Sequence, residues 1–141
     1  MEALGFSHVA LTVTHWDQSK PFWEALLSYL GAAKVIDVVG PPHRRPDGHM
    51  MMYAGKSFAM TIWEAFSEFQ ENKFQLYNVG LHHLAFAAPN RAAVDALHDK
   101  LVTEGAKILD PPKNYPYFRT YYALYFTDPD DIKLEYAFVE T

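Results

Sequence analysis

The 141-residue chain contains no cysteine, which excludes disulfides, thiolate-based zinc fingers and thiolate nucleophiles. Basic residues are scarce. Twelve Lys and Arg stand against 17 Asp and Glu, a formal net charge of −5. A nucleic acid is therefore not an expected partner, because binding to a phosphate backbone rests on many Lys and Arg contacts. Long apolar runs are also missing: none approaches the roughly 20 residues of a bilayer span. The opening MEALGFSHVALTV lacks the basic start and small-residue cleavage site of a secretory leader. The expectation is a cytoplasmic protein with no membrane partner. What is present is a globular balance, 50% hydrophobic and 21% charged, of a length that suits one domain or two small halves sharing a core. Aromatic residues make up 16%, which fits either an aromatic core or a cavity with aromatic walls.

The chain repeats itself. FSHVALTVTHWDQSKPFWEALLSYLGAAKVI resembles LHHLAFAAPNRAAVDALHDKLVTEGAKIL. Each copy opens on a histidine followed by apolar residues, His8-Val9-Ala10-Leu11 against His83-Leu84-Ala85-Phe86. Each then runs through a helical stretch to a glycine, Gly31 or Gly105. Phe6–Val13 is short and roughly alternating and predicts a strand. The first helix is expected to begin near Asp17 or Ser19, with Pro21 in its first turn, and to bury Phe22, Leu26 and Leu30 at i, i+4, i+8, with Trp23 and Leu27 beside them. Asn90 should cap the second helix, with Val94, Leu97 and Leu101 inward. Further strands are predicted at 33–39, 49–54 and 57–64, and then at 107–110, 120–127 and 132–138. Loops are expected at 41–48 and 111–116. The fold class is α+β: one domain of two βαβββ modules, 1–66 and 80–141, joined by a linker at 67–79. Their curved mixed sheets should enclose a shared cavity, with the helices outside.

The polar residues on this scaffold point to metal chemistry. His8 and His83 hold the same place in the two opening strands, and Glu64 and Glu135 are read as holding the same place in the two closing strands. The separations are 56 and 52 residues. A carboxylate inside an apolar strand is costly to bury without a partner. Finding one twice, each tied to a repeated histidine, predicts that all four face one cavity. Two neutral imidazoles and two carboxylates form an N₂O₂ set of charge −2, matched to Zn²⁺, Ni²⁺, Co²⁺, Fe²⁺ or Mn²⁺ with one or two positions open. One such ion per site is expected, in one chain or across a homodimer. His82 should face away from His83, since strand side chains alternate. His15 and His98 are expected at the surface, and His43 and His49 solvated near a loop.

The segments Ser7-His8-Val9-Ala10-Leu11, Gly80-Leu81-His82-His83-Leu84-Ala85-Phe86 and Tyr125–Glu135 together resemble the vicinal oxygen chelate superfamily. That superfamily includes glyoxalase I, extradiol dioxygenases, fosfomycin-resistance proteins and bleomycin-binding proteins. The resemblance covers essentially the whole chain, with Asp131 where the family usually has Gly. It implies a metal that binds substrate oxygens and stabilises the oxyanion that develops. The His8-Glu64-His83-Glu135 order is that of glyoxalase I-like enzymes, so the leading implication is a lyase or isomerase acting on a small α-oxo substrate through an enediolate. Glu64 or Glu135 would serve as catalytic base, with glutathione or another thiol as cosubstrate. The arginine that binds glutathione in glyoxalase I is replaced by Thr12, and Arg119, Arg44 and Arg45 are the alternatives. Arg119, Tyr122, Tyr117 and Trp63 are the expected substrate contacts, the aromatic 115–122 stretch serving a planar or apolar group; packing under a helix is its other reading. Three further implications stand beside the first. One is an iron dioxygenase using His8, His83 and Glu135. Another is a transferase or hydrolase that inactivates an epoxide antibiotic, and the last is a drug-sequestering dimer without catalysis.

Overall fold

A computed structural model describes residues 5–141, and its contacts divide the chain into two units, Met1–Asn72 and Lys73–Thr141. Both follow the same order of elements. Unit 1 runs β1 (Val9–Val13), α1 (Trp16–Tyr29), β2 (Ala33–Val39), β3 (His49–Ala54) and β4 (Ala59–Glu64). Unit 2 runs β5 (Leu84–Ala87), α2 (Arg91–Thr103), β6 (Ile108–Asn114), β7 (Thr120–Thr127) and β8 (Lys133–Glu140). The sheets are four-stranded and mixed, ordered β1-β4-β3-β2 and β5-β8-β7-β6. In each, the opening strand runs parallel to the closing one while the other pairs are antiparallel. Among the described residues no helix is long and apolar enough to cross a membrane.

Local chemistry explains most of these boundaries. Asn90 caps α2 as its spacing predicts, its side chain accepting from Ala93 N–H at 2.9 Å. Val94, Leu97 and Leu101 are buried beneath it. Gly31 and Gly105 end the helices at φ 89° and 75°, a left-handed stop that glycine adopts without a Cβ clash. The start of α1 departs from expectation. His15 precedes it in left-handed conformation with no side-chain cap, and its N–H is taken by Gln70 Oε1 at 2.7 Å. Ser19 does not cap either; it is buried and donates to the Thr14 carbonyl at 2.8 Å. The buried face of α1 is Trp16, Ser19, Trp23, Leu26 and Leu27, rotated so that Trp23 lies inside while Phe22 is half-buried.

Two expected loops deserve comparison with the fold. Segment 41–48 is a loop, but 111–116 is mostly strand: Pro111 and Pro112 lie inside β6. β6 is an edge strand with two register irregularities, the setting in which proline's missing N–H leaves no ladder bond unmade. The turn into β8 is organised by Asp128, which is buried and accepts from the N–H groups of Asp130 and Ile132, both at 2.9 Å. Asp128→Ala strips both donors of their acceptor, and bonds to a charged acceptor are worth about 1.5–3 kcal/mol. We expect a loss of about 2 kcal/mol or more, read as a lower urea midpoint at unchanged slope; an unchanged midpoint would refute this account of the turn.

Candidate metal centre

β7 and β8 build one polar cluster in unit 2. Strand alternation puts Tyr121, Ala123 and Tyr125 of β7 on the face that β8 shares through Glu135 and Ala137, and Ala123, Tyr125 and Ala137 pack as one buried group. Glu135 has no solvent exposure. Its Oε1 accepts from the Tyr121 hydroxyl. Its Oε2 lies 3.0 Å from His83 Nε2, but that approach lacks hydrogen-bond alignment, and Oε2 has no hydrogen-bond partner. A fully buried carboxylate oxygen left in this state is costly. Burial, and then the bond to Glu135, push the Tyr121 phenol up to about 12. Burial, and then the Glu135 charge, hold Tyr125 well above the usual phenol range. Both therefore stay protonated at neutral pH; Tyr121 donates to the carboxylate, and neither phenol competes with it as an anion.

His83 stands just ahead of β5, and its two nitrogens have different neighbours. Nε2 faces Glu135, while Nδ1 lies 2.7 Å from Nδ1 of His82. This corrects the expectation that His82 points away. The rings are 5.0 Å apart because both residues precede the first residue of the strand, so alternation does not yet apply to them.

The pair fits a cation. Around a metal with bonds of about 2.1 Å, ligands at right angles lie about 3.0 Å apart. Nε2 and Oε2 are separated by that distance with no aligned hydrogen between them. An imidazole nitrogen and a carboxylate oxygen are the donor types that borderline divalent ions accept. Among the described residues, no three His, Asp or Glu side chains converge on one point.

Unit 1 requires a correction. The β5–β8 register pairs Ala85 with Glu135, and the β1–β4 register pairs Ala10 with Thr61. Ala10 and Ala85 each follow their histidine by two residues, so the counterpart of Glu135 is Thr61, not Glu64. Glu64 pairs with Val13 at the far end of the strands, four residues beyond the level of Val9 or about 13 Å along the strand. It also lies on the opposite face from Thr61. Its Oε2 accepts from both the N–H and Nδ1 of His49, at 3.0 and 2.8 Å, and the His49 ring stacks on Trp16 at 5.3 Å. A matching separation was available in the sequence: His8 to Thr61 is 53 residues, against 52 for His83 to Glu135. Threonine carries no charge to draw attention to it. Thr61 is buried and accepts from Trp63 Nε1 at 2.9 Å.

The remaining residues fall into two groups. Trp63 lines a recess of about 570 Å³ in unit 1 together with Thr12, Phe66, Phe69 and the exposed Arg44. His43, expected in solvent, is buried; it donates through Nε2 to the Glu64 carbonyl at 2.8 Å and accepts from Arg45 N–H at 3.0 Å, tying down the 41–48 loop. In unit 2, Tyr117 is exposed and stacks at 6.0 Å on Tyr115, and Arg119 is exposed. Tyr122 is corrected: it sits on the helix side of β7, donating to Asp95 at 2.7 Å under the Arg91 guanidinium. Its neighbour Tyr121, which spacing alone did not single out, is the residue that reaches Glu135. His8 is exposed at the start of β1, beside Ser7 Oγ at 3.2 Å.

Comparison with known proteins agrees with this architecture. A family model described as the Glyoxalase/Bleomycin resistance protein/Dioxygenase superfamily matches residues 5–136. The uncharacterized protein YqjT of Bacillus subtilis is 29% identical over 130 residues, covering 91% of this chain and 94% of YqjT. A crystal structure of a Bacillus halodurans protein assigned as a glyoxalase superposes with a TM-score of 0.77 at 29% identity, covering 96% of both chains. The fosfomycin resistance protein FosX of Listeria monocytogenes, solved with Mn(II) and sulfate, has a TM-score of 0.66 at 16% identity, covering 99% of this chain and 95% of its own.

Proposed function

Because the chain belongs to the Glyoxalase/Bleomycin resistance protein/Dioxygenase superfamily, we propose that it is a divalent-metal-dependent enzyme with His8, His83 and Glu135 as protein ligands. Its substrate is a small molecule that offers neighbouring oxygen atoms. The observation that carries this reading is the buried Glu135 Oε2 without a hydrogen-bond partner, 3.0 Å from His83 Nε2. His8 enters as the counterpart of His83, on the register just described. When bound, the cation supplies Lewis-acid stabilisation of negative charge on a substrate oxygen, worth several kcal/mol in such sites.

Thr61 narrows the reaction class. The glyoxalase I-type lyase implied by the His8-Glu64-His83-Glu135 order needs a second carboxylate where this chain has threonine. A two-histidine, one-carboxylate set leaves more positions open. It suits addition of water or a thiol to a small epoxide, the reading that the resemblance to fosfomycin-resistance proteins implies. Trp63 and its recess would seat the apolar part of the substrate, and Tyr117 and Arg119 remain candidate contacts for an aromatic or anionic group.

The test is anaerobic loading with Mn²⁺, Zn²⁺ or Fe²⁺, followed by three substrate arms: fosfomycin with and without a thiol, catechols with oxygen, and methylglyoxal with glutathione. Turnover of fosfomycin is the expected result. Turnover confined to methylglyoxal with glutathione would overturn the three-ligand reading. Glu64→Gln supplies the matching prediction: its Mn²⁺ dissociation constant, measured by titration calorimetry, should stay within about threefold of the parent, well short of the 10–100-fold lost when even an outer partner of a ligand is removed.

A further inference from the structure

We infer that Tyr121 and His82 are positioning residues for the cation site, each fixing one ligand so that its free lone pair faces the other ligand. This rests on the metal-site reading above. Glu135 has two oxygens in a fully buried setting, and left alone it could turn either way. The Tyr121 hydroxyl occupies Oε1, which leaves Oε2 as the atom beside His83. His83 has the complementary ambiguity, since a neutral imidazole carries its proton on either nitrogen and can ligate only through the other. His82 Nδ1 lies 2.7 Å from His83 Nδ1, so in the tautomer that carries the His83 proton on Nδ1, His82 accepts it and Nε2 is the ligating atom. The two devices act on different ligands and converge on the same 3.0 Å gap.

Several features of the fold mark this as more than packing. Tyr121 is drawn from the face of β7 that carries Tyr125 and Ala123, whereas its neighbour Tyr122 spends its hydroxyl on Asp95 behind the sheet. A tyrosine here could have packed its ring and left its hydroxyl in solvent; instead the hydroxyl ends on the one carboxylate of the cluster. His82 is exposed, so its ring is free of core packing and its bond to His83 is not a by-product of burial. The Tyr77 ring meets its edge at 5.2 Å, limiting its rotation. Partners of this kind typically account for 10–100-fold in metal affinity.

Co²⁺ titration of the parent, Tyr121→Phe, His82→Ala, His82→Asn and Tyr122→Phe tests the inference, with the visible Co²⁺ absorption and the dissociation constant read together. Tyr121→Phe and His82→Ala should each weaken binding 10–100-fold and alter the absorption bands, while their metal-free thermal midpoints stay close to the parent. His82→Asn should recover most of the affinity, because Asn Oδ1 stands where Nδ1 stood and also accepts. Tyr122→Phe loses a hydroxyl behind the sheet and should bind as the parent does. Equal affinity and equal spectra in parent, Tyr121→Phe and His82→Ala would overturn the positioning roles alone. Failure of the parent to take up Co²⁺ would overturn the metal-site reading and this inference with it.

Discussion

Glu135→Gln is expected to lower Mn²⁺ affinity at least about 100-fold, equivalent to about 2.7 kcal/mol, and at the same time to make the metal-free protein more stable. The two effects have one origin. Glu135 has no solvent exposure, and its charge is met by the Tyr121 hydroxyl at Oε1, with no hydrogen-bond partner at Oε2. A buried charge in that state is destabilising until a cation arrives. Glutamine keeps the shape and keeps an oxygen for Tyr121 to donate to. Its amide can donate toward His83 Nε2, so the buried charge disappears and the stray acceptor gains a partner. Replacing buried charge with a neutral group of similar size is commonly neutral or stabilising by about 1–4 kcal/mol; a gain of about 1–2 kcal/mol is expected here, read as a higher urea midpoint in chelator. The affinity loss follows because hard and borderline divalent ions need the anionic oxygen. Affinity that survives the substitution, or a metal-free protein that is weakened by it, would remove Glu135 from the site.

The other large effect concerns the core of unit 1. Trp23→Ala should destabilise the protein by about 3–5 kcal/mol, a large share of the roughly 5–15 kcal/mol that holds most domains together. Trp23 has no solvent exposure and lies on the inward stripe of α1 with Leu26 and Leu27, where the helix packs on β2 and β3. Truncation removes the apolar burial of an indole and leaves a void that rigid strands cannot close. Phe22→Ala provides the contrast. Phe22 is half-buried and meets Trp23 edge-on at 5.6 Å, so its loss should cost less than half as much. Urea unfolding of the two variants side by side checks the ranking; the reverse order would place the helix stripe where the i, i+4, i+8 reading of Phe22, Leu26 and Leu30 puts it.

That reading of α1 shows how far local pattern carries. The helix itself was legible, because apolar residues recur near 3.6 and a glycine follows. Its azimuth was not: Phe22 and Trp23 are both large and apolar, and facing strands choose between them. Asn90 and the Val94-Leu97-Leu101 stripe were legible in full, since a cap and a helix face depend on residues within three or four positions of each other. Pro111 and Pro112 read as a loop because proline breaks ladders; their place on an outer strand depends on strand order, which no short window contains. The duplicated histidines are visible as a repeat, but Glu64 is only the acidic residue nearest the right spacing, and the register makes Thr61 the counterpart of Glu135.

Composition and short-range periodicity were enough to establish a doubled βαβββ chain with His8 and His83 in matching places. They were also enough to exclude cysteine thiolate chemistry, since cysteine content is a property of single positions. Strand pairing settled the rest. Which residue stands opposite Ala10, which oxygen of Glu135 is taken by Tyr121, and which ring nitrogen of His83 faces Glu135 all depend on segments far apart in sequence. A slip of one residue in register sends a side chain to the other face of a sheet, so three residues separate Thr61, the counterpart of Glu135, from Glu64, whose carboxylate bonds His49 on the neighbouring strand.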